Sequence, residues 1–591
     1  MPVESITAFN GGLVTEPAPH RLAANEAVMV ENCHIRDGAI RPMLAAVLAA
    51  SILTGCQSIY KFNGAWETHS GDCYFAEENE VLYWADGGVP QKKRASDGAQ
   101  ARLGIEPPVW AFGISPSASS TASSNRFLLP QAGLSYAVTF YSDPLLGGWG
   151  GESAPAVLGV GESYVTPILD GSLLAADAEI FIRDEAGSVP SSGMLKIDDE
   201  YIIYASKTTV GFGTFKLHGL ARGANGSTAA DHASGSTFAI YFAQVDLSDL
   251  PVSSDPQVTT KRIYRVAGGE YRLVAEIPNA TTAYTDVLVD EQLGDVITSD
   301  DNDPPPNLTG ICGPYNGMFF GWLGNVLYSS KVGVPDAWGE RFQFKRPIAA
   351  CVIHGGSVVV LCEDAPYIIS GDDPNVLYRS KALSQQGCLF GRTAVDAGPV
   401  LLYLSPDGVC ALDGLTSRVV SDALAKSDLT LADPHAAYHD EQYFLFHAGG
   451  CIIGDFHGGR PIWRTCTETG ISAYRDDAED TLYIGRVDGV YEWGAGGSLP
   501  WRYWTGELVA GSLAQSKEFW FLILHAVGQF RCQLFVDGEN LHDDTETLPE
   551  RESYRVRLGG ASRGYRPQLR LEGSGTVYAV EIEHSGPGRS R

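Results

Sequence analysis

The sequence predicts an all-β protein: a six-bladed β-propeller with inserted sandwich modules and a C-terminal β-sandwich. Three observations predict it. Gly (67) and Pro (32) are frequent among the 591 residues, and short apolar runs alternate with Gly, Asp and Asn turns, with little helical periodicity. A hairpin unit recurs. Two proline tracts, "GIEPPVW" and "DNDPPPN", flank a long stretch that interrupts the recurrence, as stiff linkers around an insertion would.

The recurring unit is a polar turn followed by a short apolar strand. It reads "NEVLYWADGG" (79–88), "GNVLYSSKVG" (324–333), "DAPYIISGDD" (364–373), "DGVCALDGLT" (407–416), "GGCIIGDFHG" (449–458) and "DGVYEWGAGG" (488–497). Another apolar run precedes most copies, as in "SVVVLCE" and "VLLYLSP". Each unit therefore contains a hairpin. The last five recur about every 40 residues, the length of a four-stranded blade. No Trp-Asp closing motif recurs, and a pair of ordinary sandwiches is the alternative arrangement. The expected organisation is a strap over 1–57, a first blade over 58–100, inserted sandwiches over 101–306, the remaining blades over 307–497 and a C-terminal sandwich over 498–591.

Within the strap, "LAANEAVMVENC" (22–33) is the best helix candidate. "MLAAVLAASILTGCQ" (43–57) imitates a lipoprotein signal, with Leu53-Thr54-Gly55-Cys56 as the lipid-attachment site. Such a signal needs a short positively charged start. A mixed polar stretch precedes this run instead. The expectation is a buried strand leading to "SIYKFNG", with Cys56 in the core and no membrane anchor.

The insertion reads as two modules. "LSYAVTFYSD…GGESAPAVLGV" (134–160) and "KRIYRVAGGEYRLVAEIPNATTAYTDV" (261–287) resemble an immunoglobulin- or fibronectin-like sandwich, and a small β module over about 173–245 lies between them. Turns at Ser192-Gly193, Asp198-Asp199 and Asn225-Gly226 account for its polar residues. The C-terminal runs "EFWFLILH", "QFRCQLFVDG" and "VYAVEIEH" are alternating strands. Arg551, Arg555, Arg557, Arg563, Arg566 and Arg570 make this end locally basic, either as solvated faces and salt bridges or as a docking patch.

Chemistry is sparse. The phosphate-binding loop Gly-x-x-x-x-Gly-Lys-Ser/Thr is missing. His435 and His439 in "HAAYHD" lack the Glu that a zinc-peptidase helix places after its first His, and their context is a strand. Asp231-His232 could be written as a dyad, but no nucleophile is placed beside it. "SPDGVCAL" (405–412) keeps only the Asp-Gly core of a sialidase-type turn. No catalytic, cofactor-binding or metal-ligating residue is assigned, no cofactor is expected, and the chain is read as a non-enzyme.

Charge is lopsided: 42 Lys plus Arg against 71 Asp plus Glu, net −29. Residues 498–591 carry only −1 of this, with 11 basic and 12 acidic residues. Wrapping of duplex DNA is excluded, because that rests on Lys and Arg displacing counterions. A surface past which DNA slides without sticking fits. The 11 cysteines are scattered without a Cys-x-x-Cys pair and read as reduced core residues of a chain folded in a cytosol.

"ITAFNGGLVTEPAPHRLAANEAVMVENCHIRDGAIRPM" resembles the opening of tail proteins of short-tailed phages, at Phe9, Gly11, Gly12, Pro17, Leu22, Asn25, Glu26, Ala27, Asn32, Gly38, Arg41 and Pro42. "GPYNGMFFGWLGNVLYSSKVGVPDAWG" (313–339), "SAP…KRIYRVAGGEYRLVAEI…AYTD" and "WRYWTGELV…LFVDG…VYAVEIEH" are similar to further segments of that family, in the same order. One departure is Trp504-Thr505-Gly506-Glu507, where the family often has Trp-x-Ser-Lys. The family is the phage tail nozzle, also called tail tubular protein B or DNA-stabilisation protein. The resemblance implies a structural virion protein of the tail, assembled in the host cytoplasm. It would be a homohexamer below the portal and adaptor ring, retaining packaged double-stranded DNA in an acidic channel and docking tail fibres or spikes. A propeller glycan hydrolase or depolymerase and a surface adhesin are the alternatives.

Overall fold

The computed structural model describes residues 3–52, 55–109, 113–117, 129–130, 135–159, 167–185, 189–242, 244–298, 303–383, 385–509, 516–558 and 563–585. Among these the regular structure is strand with six short 3-10 turns and no α-helix. The chain forms two compact units. One comprises Met1–Gln100, Asn307–Val332 and Glu340–Arg591; the other comprises Ala101–Pro306 with Gly333–Gly339.

In the first unit each recurrent hairpin supplies two neighbouring strands of an antiparallel ladder of four. The pairs are Tyr74–Glu78 with Val81–Ala85, Met318–Leu323 with Val326–Lys331, Ser357–Cys362 with Pro366–Ser370, Leu401–Ser405 with Gly408–Asp413, Gln442–His447 with Gly450–Asp455, and Thr481–Arg486 with Gly489–Glu492. Val358 through Cys362 are all buried, so this strand packs on both faces, which is why "SVVVLC" lacks polar alternation.

The ladders meet through their opening strands. Tyr74–Glu78 touches Gly310–Tyr315, which touches Ile348–His354, then Val395–Asp396, His435–His439, Ser472–Asp476 and Ser58–Phe62. Tyr60 in the last of these stacks on Phe75 at 5.1 Å and donates its hydroxyl to Glu77 at 3.0 Å. This neighbour relation is propeller-like.

The strap differs from expectation at two places. The stretch 22–33 is not a helix: Pro19–Arg21 makes a 3-10 turn and Glu26–Glu31 is a strand. It pairs antiparallel with Trp501–Thr505 and, at Glu31, parallel with Thr465. Pairing on both sides outweighs the modest helix propensity of Asn-Glu-Ala. The apolar run from Met43 is not a buried strand either. Val47–Ser51 is the outermost strand of the 472–492 ladder, paired to Gly489–Glu492, with Val47 and Leu48 exposed at 45% and 48%. As the outermost strand it has a single neighbour, and Val47, Leu48, Ala49 and Ser51 are all exposed. Met43 and Cys56 flank it and are buried, and Cys56 packs with Ile59, Tyr483 and Val490. Leu53 and Thr54 lie outside the described residues.

The stretch 58–100 divides. Ser58–Phe62 and Ala65–His69 form a separate two-stranded hairpin, and the four-stranded ladder starts at Tyr74. Ser58 joins the two pieces: its hydroxyl donates to the Gly71 carbonyl and accepts the Cys73 N–H, both at 2.9 Å.

The C-terminal strands belong to one continuous sheet rather than a separate sandwich. Lys517–Val536 runs for 20 residues, with Pro567–Gly573 and Thr576–His584 along one side and Glu539–Arg557 along the other. Trp501–Thr505 and Glu26–Glu31 carry this sheet into the 435–466 ladder. Phe9, Trp501, Tyr503, Leu522 and Leu571 share one core, so the N- and C-terminal segments bury their apolar faces together.

In the second unit, Ala156–Gly159, Ser135–Tyr141, Thr260–Ala267 and Glu270–Pro278 form one sheet, and Gly113–Ser117, Gln244–Ser248 and Tyr284–Asp286 another. Between them in sequence lie a five-stranded and a four-stranded sheet. Tyr136, Ile180, Leu195 and Ile263 belong to a single core. Buried Arg265 pairs with buried Asp286, which also accepts the Tyr136 hydroxyl at 2.7 Å.

Candidate functional site

Two places in the first unit concentrate unusual residues: the strap junction and a polar cavity among the opening strands. At the junction, Phe9 is fully buried edge-on against Tyr503, ring centroids 5.2 Å apart, and its N–H donates to Gly38 at 3.0 Å. Gly11 lies so close to the Asn25 carbonyl that a β-carbon would sit 2.5 Å from its oxygen. Gly12 has φ +68° and would place a β-carbon 2.6 Å from Ile462. Asp37 and Gly38 both have positive φ and turn the hairpin Cys33–Arg36/Ala39–Pro42, as a two-residue turn requires.

Asn32 is the knot. It is buried in the left-handed region, with φ 56°. Its amide donates to the Pro500 carbonyl at 3.0 Å, and its oxygen accepts the Thr467 N–H at 2.8 Å and the Thr467 hydroxyl at 3.1 Å. Its backbone bonds Thr465 on one side and Met43 on the other, both at 2.9 Å. Gly11, Gly12, Asn32 and Gly38 thus set the backbone shape and side-chain-to-backbone bonds where three parts of the chain meet.

The second place is a cavity of about 550 Å³ whose rim carries Asp72, Asp86, Glu363 and Asp433 against one guanidinium, Arg392. Arg392 is tied down: Nη1 donates to Asp72 at 2.9 Å, and Nη2 to the carbonyls of Ile471, at 3.0 Å, and Gln57. A second, smaller cavity of about 260 Å³ shares Tyr74, Gly391 and Arg392 with it and is lined by His435. His435 is 3% exposed and stacks on Phe446 at 5.4 Å. Burial, aided by the Arg392 charge, pushes its pKa down to about 3, so the ring is neutral. It hydrogen-bonds the Ser472 backbone, and its Nε2 has no partner among the described residues.

The other flagged residues take structural places. His439 shares the His435 strand and sits 3.8 Å from Asp480. Asp231 does not pair with His232 but accepts the Ala175 N–H at 2.6 Å. His232 instead lies between Asp198 and Glu200, at 2.8 Å from each. Glu200 is the centre of this cluster. Burial would raise its pKa, but Arg222, the Ala230 and Gly223 N–H groups and His232 together hold it down at about 2. Nothing in "DEYIIY" signals this, because its partners come from 22 to 32 residues away. Among the described residues no cluster of three or more His, Cys, Asp or Glu could hold a metal. All 11 cysteines are free and only Cys73 is not buried.

Five of the six arginines of the basic C-terminal end have contacts of their own, and Arg557 is exposed. Arg555, Arg563 and Arg566 pair with Glu583, Glu518 and Glu507. Arg551 and Arg570 lie over the rings of Tyr578 and Trp504, at 3.9 and 4.5 Å.

No family model and no curated protein matches the chain. Among solved structures, the Neurospora crassa Pan2 WD40 domain is similar at 9% identity, covering 57% of this chain and 98% of that one, with a TM-score of 0.24. The Dos1 propeller is similar at 8% identity, covering 56% and 96%, with a TM-score of 0.25. Hsv2 of Kluyvelomyces marxianus is similar at 10% identity, covering 41% and 69%, with a TM-score of 0.22. At such scores the propeller-like description rests on the strand pairing above.

Three outcomes are expected. Gly12→Ala should lower stability by about 2–4 kcal/mol, through overpacking and the left-handed backbone, read as a shifted urea midpoint. Glu200→Gln should destabilise by about 3–5 kcal/mol because it strands the Arg222 charge, whereas Asp231→Asn should change little. His435 binds a proton more readily when unfolded, so its contribution to stability is present above pH 6.5 and declines as pH falls toward about 3. Unfolding measured against pH should show a shallower slope in His435→Phe than in the native chain, the remainder coming from His34, whose pKa burial lowers to about 4, and from His69 and His447, also lowered by burial.

Proposed function

We propose that this chain is a structural protein of a phage tail, the nozzle that continues the DNA channel below the portal and adaptor. The observation that carries the reading is the strap junction. The residues that resemble the nozzle family, from Phe9 and Gly12 to Asn32 and Gly38, lock the N-terminal strands between the 435–466 ladder and the C-terminal sheet. Residues that set backbone shape rather than supply chemistry are what an assembly part needs.

In this reading the six ladders close one ring of six blades. Val47–Ser51 completes the last blade, and the 58–69 hairpin fits between the last and the first. The second unit is then an insertion of immunoglobulin- or fibronectin-like modules, a docking surface for fibres or spikes. Six copies would surround packaged DNA. The net charge of −29 makes adhesion of the duplex to the channel wall unfavourable, so DNA is retained by closure of the ring and released without friction from specific contacts.

Mass spectrometry of purified particles should find the chain at about six copies, as a closed cyclic oligomer requires. Deleting its gene should give filled heads that leak DNA. Absence of the chain from particles contradicts the reading.

A further inference from the structure

With 71 acids for 42 bases, a surface cation of this chain has carboxylates to meet. One place departs from that. Arg341, Lys345 and Arg346 are exposed, and their side chains have no ion pair or hydrogen bond among the described residues. They lie in "ERFQFKR" (340–346), whose one acid is Glu340. A fourth cation comes from the neighbouring ladder. Arg379 Nη1 donates to the Gln343 carbonyl at 2.7 Å, and the guanidinium lies 5.3 Å from the centre of the Phe344 ring. These contacts hold it beside the other three, and it has no ion pair among the described residues.

The fold explains the gathering. Val334–Gln343 and Tyr378–Lys381 are the outermost strands of neighbouring ladders. All four residues of the second are exposed. Beside Arg379, Val376 and Tyr378 are 50% and 72% exposed. Like charges held together repel one another, and an anion from outside relieves that repulsion.

The same unit carries the complement. Glu539–Arg557 is an outermost strand, paired only with Lys517–Val536 among the described residues. Between 539 and 552 it has six acids against Arg551, and Arg551 is engaged with the Tyr578 ring. Glu550 and Glu552 are exposed and have no ion pair among the described residues. Pro549 precedes them and removes a backbone donor, so this edge presents carboxylates rather than a ladder to pair with.

We propose that the cationic rim of Arg341, Lys345, Arg346 and Arg379 docks on the acidic strand segment 539–552 of a second copy of this chain. Two different surfaces of one chain then meet, which is the heterologous contact that closes rings. Copies of net −29 repel each other unless unlike charges face across the contact. Exposed Tyr378 adds the aromatic surface in which protein interfaces are enriched. A nucleic acid is the rival anion. Four cations neutralise only about four phosphates, too few to hold a polyphosphate against the net charge of the whole chain. The inference rests on the ring proposed above and names the surfaces that build it. Particle composition tests that reading, whereas charge reversal tests this contact.

The test is sedimentation of the purified full chain. The native chain should self-associate, and added salt should weaken the association. Two variants reverse the charges: Arg341→Glu/Lys345→Glu/Arg346→Glu on the rim and Glu550→Lys/Glu552→Lys on the strand. Each changes only exposed residues without ion pairs, so the urea midpoint should stay native. Each should lower the association constant at least about tenfold. The neutral rim variant Arg341→Gln/Lys345→Gln/Arg346→Gln should shift it in the same direction. Mixed one to one, the two reversed variants should recover association, because the reversed rim of one meets the reversed strand of the other. A native chain that stays monomeric, rim variants that associate as the native chain does, or a mixture that fails to recover would each overturn the proposal. Saturable binding of a labelled single-stranded oligonucleotide that the rim variants lose, with self-association unchanged, would assign the rim to nucleic acid instead.

Discussion

The first unit depends on one short strand, Glu26–Glu31. It is the only element that pairs on one side with the C-terminal strand Trp501–Thr505 and on the other with the 435–466 ladder, among the described residues. Ladders of a propeller-like array bury their faces against neighbours but leave outer edges open. This strand fills such an edge, and Val47–Ser51 fills another. The N-terminal 50 or so residues thus act across more than 400 residues of sequence, as the Asn32–Pro500 hydrogen bond shows. The entropy of closing so long a loop grows only slowly with length, so a few well-placed pairs suffice to hold it.

The same economy explains how an acidic chain keeps buried cations. Arg464 is fully buried, and Asp455 at 3.1 Å, Gln442 at 2.6 Å and His34 at 3.4 Å surround its guanidinium. Arg222 meets Glu200 with two parallel bonds at 2.7 and 2.8 Å. Buried charge is tolerated when most of its hydrogen bonds are met, and at Arg464 the Nε alone is left without a partner among the described residues. With 71 acids for 42 bases, such sites take a share of the available partners, and the excess negative charge is left for the surface. Mutual repulsion there opposes compactness, so the apolar ladders and the shared core of Phe9, Trp501 and Leu522 must outweigh it.

Local patterns were legible. "SVVVLC" and "VLLYLS" could be read as strands from their apolar runs, and Asn or Asp beside Gly marked the hairpin turns, because both signals act within a few residues. Edge pairing was not legible. "EAVMVE" has the composition of a helix and becomes a strand because of two distant neighbours, and "VLAAS" reads as core but ends on an outer edge. The continuous C-terminal sheet was hidden for the same reason. At the cavity, His435 drew attention only for its spacing from His439. What distinguishes it, a neutral ring with an unmet lone pair, comes from burial by other ladders. Asp231 and His232 are neighbours in sequence yet bond different partners, because adjacency says little about pairing across a sheet.

The central claim is that the Glu26–Asn32 segment is the clasp of the first unit. Hydrogen–deuterium exchange on the native chain tests it most directly. The amides of Ala27 to Asn32 and of Trp501–Thr505 should exchange together, at the slow rate of the buried ladders, because they can open only when the joined sheets part. Rapid exchange across 27–32 while the 435–466 ladder stays protected would contradict the account and leave the strap a peripheral ornament.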